Sequence, residues 1–200
     1  MTYVPRLEVL YGYYHVTTRG NNKRSIYTDD VDRERFLALL QRVARRYGWL
    51  LYAYCLMGNH YHLVVQIAER GLSRGMCELN TGHAITFNLR HGRVNHLFGR
   101  RFWSELITTD AYMLEACRYV VQNPVRAGLC AACGDWKWSS YRATVGAAQP
   151  EPFLAVGAVL DFFAPRSPDA VSRFRDYCAT IVPKRQVRNG REVAATVTEV

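Results

Sequence analysis

The apolar positions along the chain change period several times, and each change marks an element. Residues 9–19, VLYGYYHVTTR, are rich in Val, Tyr and Thr and predict a first strand. The polar GNNKRS that follows predicts a loop. Phe36, Leu39, Leu40, Val43 and Tyr47 then recur at helical spacing. With cap candidates at Thr28 to Asp30 and a stop at Gly48, they predict a helix over about 30–47. Trp49 to Leu56 and HYHLVVQ predict two further strands, joined at Gly58-Asn59 as a hairpin. Leu72, Met76, Leu79, His83 and Phe87 predict a second helix, weakened by Gly75 and Gly82. Residues 100–108 predict a fourth strand. Asp110 can cap a third helix through AYMLEACRYVVQ, which Pro124 ends.

Only the second and third strands follow each other directly; helices separate the rest. This order predicts an α+β fold, with helices packed on a mainly antiparallel sheet in a ferredoxin-like arrangement. The character shifts near residue 150. QPEPF reads as a linker, 153–181 as a modest helical region, and the end from Lys184 as polar and basic. One domain over 1–148 and an extension over 149–200, made of linker, helices and basic tail, are expected.

Composition narrows the class. Of the 200 residues, 49% are hydrophobic and 22% charged, which suits a soluble globular protein. No apolar run approaches the ~20 residues that span a bilayer, so no membrane partner is expected. The N-terminus lacks a signal-peptide pattern, so a cytoplasmic protein is expected. The six cysteines are scattered and predict free thiols. Cys130 and Cys133 form a lone CxxC without the second pair a structural zinc site wants.

Charge adds a partner. Lys and Arg number 26 against 17 Asp and Glu, a formal net charge of +9, which suits a polyanion. No acidic residue lies between Leu79 and Ser104. That stretch holds Arg90, Arg93, Arg100 and Arg101, with His83, His91 and His96, and interleaves Phe87, Phe98, Phe102 and Trp103. Cations beside rings are the usual means of holding single-stranded nucleic acid. A solvated basic face over core aromatics is the other reading.

Two short stretches carry candidate chemistry. In a strand, residues i and i+2 share a face, so His60 and His62 project together and Tyr61 projects opposite. Neutral imidazoles suit Mn and other divalent metals, and Mg where oxygen ligands complete the shell. The same pair equally suits a structural role at a strand start. In RYVVQNPVRAGL, Tyr119 and Asn123 are four apart and share a helix face. A phenol near a metal-bound phosphate suits nucleophilic catalysis, provided a cation or base favours the phenolate. Alone, Tyr119 equally suits a packed aromatic.

Taken in order, YHVTTRGNN, CLMGN before HYH, HLFGRRFW, RYVVQNPVRAGL and WKWSSY resemble the HUH-superfamily single-tyrosine transposases, above all the REP-associated tyrosine transposases. The resemblance runs from about residue 5 to about residue 146. It implies an HUH nuclease architecture in a bacterial protein, associated with the nucleoid when bound to DNA. His60 and His62 match the metal-binding histidines, Tyr119 the nucleophile, and Asn123 the polar residue completing a Mg2+ or Mn2+ site. The implied partner is single-stranded DNA with hairpin-forming repeats, cut through a 5′-phosphotyrosine intermediate that leaves a 3′-OH. Nothing in it chooses between monomer and homodimer. Arg19, Lys23 and Arg24 in the first loop, and Arg100, Arg101 and Arg126, are candidates for phosphate contact; each is equally a solvated charge. Position 58 is Gly where the family commonly has Pro, and Gly75 interrupts a helix that is usually more regular.

Three rivals stand beside this reading: a binding module without chemistry, a metal-dependent nuclease using water, and a two-histidine RNA phosphoesterase. His15-Val16-Thr17 matches one HxT element of the last, but the other histidines supply no second.

Overall fold

Asp29 opens the first helix, α1 (Asp30–Tyr47), by accepting a hydrogen bond from the Asp32 N–H, and Gly48 closes it in a left-handed conformation at φ 63°. The chain turns directly into β2 (Trp49–Leu56) and, across Gly58-Asn59, into β3 (His60–Ile67). The computed structural model describes residues 8–68 and 71–180, together with the short ladder of 187–188 with 191–192. The basic tail from Lys184 otherwise lies outside the described residues, as do residues 5–7, where the resemblance begins.

The main sheet has four strands in the order β2-β3-β1-β4, where β1 is Tyr13–Arg19 and β4 is Trp103–Ile107, and every pair is antiparallel. This is the expected α+β fold. The first strand starts later than its composition predicts. Tyr11 has φ 56° and the Gly12 N–H bonds the Val9 carbonyl, so residues 9–12 form a turn.

Period-2 alternation divides the core in two. One sheet face carries Tyr14, Val16, Tyr61, Leu63 and Val65, all buried against α1 and α2 (Leu72–Arg90). The other carries Ala53, Cys55, Val64 and Ile107. These meet Met113, Ala116, Cys117, Val120 and Val121 of α3 (Asp110–Arg126), and Val159, Phe174 and Cys178 from the C-terminal helices. Each fully buried aliphatic or aromatic side chain contributes roughly 1.5–3 kcal/mol. The helices that follow α3 are α4 (Tyr141–Thr144), α5 (Val156–Phe163) and α6 (Ala170–Ala179). Among the described residues, no helix is long and apolar enough to cross a membrane.

Two helices differ from expectation for local reasons. α2 runs unbroken through Gly75, where a Cβ would overlap the Trp49 indole. Gly75 is a packing requirement there, not an interruption. α3 passes Pro124 and ends two residues later. Asn123 Nδ2 donates to the Tyr119 carbonyl at 3.0 Å, adding a side-chain tie just before the proline. Gly128, at φ 69°, turns the chain away.

Candidate active site

The face that α3 covers is built in rows across the strands. Arg19 lies opposite His60. The next row runs Cys55, His62, Thr17 and Trp103, and the one after it Ala53, Val64, His15 and Glu105. Paired residues share a face, so Arg19, Thr17, His15, His60, His62 and Trp103 all look the same way. Tyr61 looks the other way: it is fully buried on Phe36, and its hydroxyl donates to Asn80 Oδ1 at 2.5 Å.

α3 brings the remaining groups. Thr109 caps it by accepting from the Tyr112 N–H at 3.2 Å. Met113, Ala116, Cys117, Val120 and Val121 recur at helical spacing and seat it on the sheet. Tyr119 and Asn123, one turn apart on its flank, face the histidines. The Tyr119 ring lies 5.5 Å from His62 and 5.6 Å from His15, centroid to centroid. The Asn123 side chain lies beside His60, close enough to oppose the fall in its pKa. On the far flank, Gln122 Nε2 donates to the carbonyls of Cys178 and Thr180, both at 2.8 Å. Residues 60, 62, 119 and 123 therefore occupy one place, although 57 positions separate His62 from Tyr119.

Hydrogen bonds decide which imidazole nitrogen faces outward. Asn59 Nδ2 donates to the Lys23 carbonyl, so Asn59 Oδ1 is an acceptor and His60 Nδ1, 2.6 Å away, carries the proton. His60 Nε2 is then the nitrogen with the lone pair. His62 Nδ1 is engaged by Thr17 Oγ1 at 2.8 Å and His15 Nε2 at 3.0 Å, which leaves Nε2 for a ligand. Burial, reinforced by the Arg19 charge, pushes His60 down to about 4 against the effect of the Asn123 side chain. Burial also takes His62 well below its ordinary value, helped by His15, His60 and Arg19. Burial alone takes His15 to about 4. All three rings are neutral near pH 7, the form that ligates a metal.

The candidate cations divide. Arg126 stacks its guanidinium on the Tyr119 ring at 4.7 Å. Arg19 is exposed beside His60. Lys23 and Arg24 sit on a loop tied to the 58–59 turn, with Gly20 N–H bonding the Asn59 carbonyl and Ile26 N–H the Gly58 carbonyl. The segment bearing Arg100 and Arg101 docks there too, through Asn21 N–H to Leu97 and Gly99 N–H to Arg19. Elsewhere the acid-free stretch is structural. Arg90 and His91 bond Asp29 and Asp32, His83 bonds the Ile26 carbonyl, and Phe87 and Phe102 are buried. Sequence reading gave His15 and Thr17 together to a rival chemistry, as an HxT element. The cross-strand register, invisible in the sequence, places both behind His62.

Comparison with known proteins joins this geometry to a family. The model of the IS200-like transposases matches residues 8–123, which span β1 through Asn123. A Haemophilus influenzae chain described as a REP-associated tyrosine transposase is 25% identical over 146 residues, covering 68% of this chain and 82% of that one. A solved REP-associated tyrosine transposase bound to a REP hairpin superposes with a TM-score of 0.61 at 20% identity, over 76% of this chain and 90% of that one, and shares the fold. Since the family model takes in more than half of the chain, including both histidines and the tyrosine helix as far as Asn123, this protein belongs to the IS200-like transposases, enzymes that act on DNA.

Proposed function

We propose that this chain is a REP-type tyrosine transposase that nicks single-stranded DNA beside hairpin-forming repeats in the bacterial cytoplasm. Tyr119 is the nucleophile, and His60, His62 and Asn123 hold a divalent cation, Mg2+ or Mn2+. The observation that carries this reading is the approach of the Tyr119 ring to His62 at 5.5 Å, with Asn123 beside His60. The REP hairpin in the solved relative supports the substrate class.

The donor set fits such a cation. Two neutral imidazoles have Nδ1 engaged and Nε2 available, and an amide oxygen stands with them. When bound, the cation polarises a phosphoryl oxygen and offsets the negative charge that develops there. The chain's own groups do the rest. Tyr119 Oη attacks the scissile phosphorus, forming a new P–O bond as the bond to O3′ breaks. A 5′-phosphotyrosine and a free 3′-OH result. Attack by that hydroxyl, or another, reverses the step and joins strands. Arg126 holds the Tyr119 ring and, with Arg19, supplies positive charge to the phosphate. Residues 1–148 carry the chemistry, and 149–200 form an extension whose helices α5 and α6 steady α3.

A labelled hairpin oligonucleotide with single-stranded flanks tests this. With Mg2+ or Mn2+, wild type should leave a covalent adduct on a denaturing gel. Tyr119→Phe should leave none, and His60→Ala should keep binding while losing the adduct. Binding without cleavage in either metal favours a binding module; cleavage without an adduct favours attack by water.

A further inference from the structure

The sequence offers four aromatic rings in its basic stretch as stacking surfaces, and the structure separates them. Phe87 and Phe102 are buried and Phe98 packs against the core. Trp103 alone of the four is open, at 50% exposure. It is also the one exposed tryptophan among the described residues, since Trp49 is buried and Trp136 and Trp138 are partly covered.

Its position is specific. Trp103 starts the edge strand β4 and pairs with Thr17, the residue that bonds His62 Nδ1. Its ring meets His15 at right angles, 5.5 Å between centroids, and His15 in turn lies 5.6 Å from the Tyr119 ring. α3 packs over β2 and β3 and reaches β4 at Glu105 and Ile107, while the Trp103 end of that strand stays exposed. Arg19, two residues beyond Thr17, adds a cation to the same face of β1. An indole held open to water beside the histidines and Tyr119 has a natural ligand in a nucleobase, whose π-face stacks on aromatic rings whatever its identity.

We propose that Trp103 is the floor of a nucleobase subsite, stacking on an unpaired base adjoining the phosphate at Tyr119. This rests on the reading of that site as one for single-stranded DNA. Trp103 binds substrate and takes no part in bond making; it sets where the strand lies across the sheet.

The test uses the full chain carrying Tyr119→Phe, without added metal, so that binding is measured apart from cleavage. The probes are a fluorescein-labelled dT15 and an abasic strand of the same length. Trp103→Leu should weaken dT15 binding about tenfold, leave abasic binding unchanged, and abolish the quenching of tryptophan emission by dT15. Trp103→Phe should restore most of the affinity. Equal losses on both probes, or no loss on dT15, would overturn the subsite. The adduct assay on the Tyr119 parent reports the nicking reading separately: an adduct with an unmoved Trp103→Leu sinks only the subsite, and Trp103-dependent binding without an adduct sinks only the nicking.

Discussion

Thr17 and His15 stand behind His62, the residue proposed above to hold the cation. Both contact His62 Nδ1, and together they set which nitrogen is left for a cation. Thr17→Val keeps the shape and removes the hydroxyl. Calorimetric titration with Mn2+ should then show binding weaker by about 10–100-fold, with the melting temperature little changed; unchanged affinity would contradict the assignment. Local spacing put His60 with His62 on one strand face, i to i+2, and Tyr119 with Asn123 on one helix face, i to i+4; only the family resemblance joined the two pairs into one proposed site. The role of His15 and Thr17 was not legible in the sequence, because it depends on the pairing of β1 with β3 across more than forty residues. Phe87, Phe102 and Trp103 make the same point: composition groups them, and only burial tells them apart.

The elements around the site are fastened by polar contacts that the hydrophobic pattern does not reveal. Arg90, at the end of α2, bonds both Asp29 and Asp32 at the start of α1, and His91 joins Asp32. The Arg90 hydrogen bond holds Asp29 at about 2. Burial opposes ionisation of Asp32, but bonds from Thr28 N–H, His91 and Arg90 outweigh it and keep its pKa low. Both folded values lie below the ~3.9 of a free Asp. Their stabilisation is therefore present above about pH 4 and is lost as pH falls towards 2. Urea midpoints should drop across that window, and the double variant Asp29→Asn, Asp32→Asn should flatten the drop; an unaltered slope would contradict the clamp. On α3, Gln122→Leu strips the buried Cys178 carbonyl and the Thr180 carbonyl of their donor and should cost about 1–3 kcal/mol in urea unfolding. A neutral result would show that α6 does not hold the tyrosine helix through this bond. Sequence periodicity predicted the seat of α3 on the sheet. It was silent on this second attachment, whose partners lie 56 and 58 residues away.

At the scale of the molecule, a net charge of +9 says that a polyanion is favoured but not where it lies. The fold spends some of that charge internally and leaves some at the site. Arg90 is committed to two carboxylates, whereas Arg19 is exposed beside His60. In anisotropy titrations over a salt series, Arg19→Ala should lower the slope of log affinity against log salt by about 1. Arg90→Ala should lower stability and leave the slope unchanged. The reverse pattern would mean that the strand crosses α2, not the histidine face. The sequence order of strands and helices was enough for the α+β class, because alternation and capping are short-range signals. It did not show that the C-terminal helices pack on the same face as α3, an arrangement set by tertiary contacts of Val159 and Phe174.

The central claim is that one oxygen, Tyr119 Oη, becomes bonded to DNA. Trypsin cuts after Arg118 and Arg126 and releases YVVQNPVR, in which Tyr119 is the only hydroxylated residue. After reaction with a hairpin oligonucleotide and nuclease trimming, mass spectrometry should find the nucleotide on that peptide. A nucleotide on any other peptide, or cleaved DNA with this peptide unmodified throughout the reaction, would contradict the account.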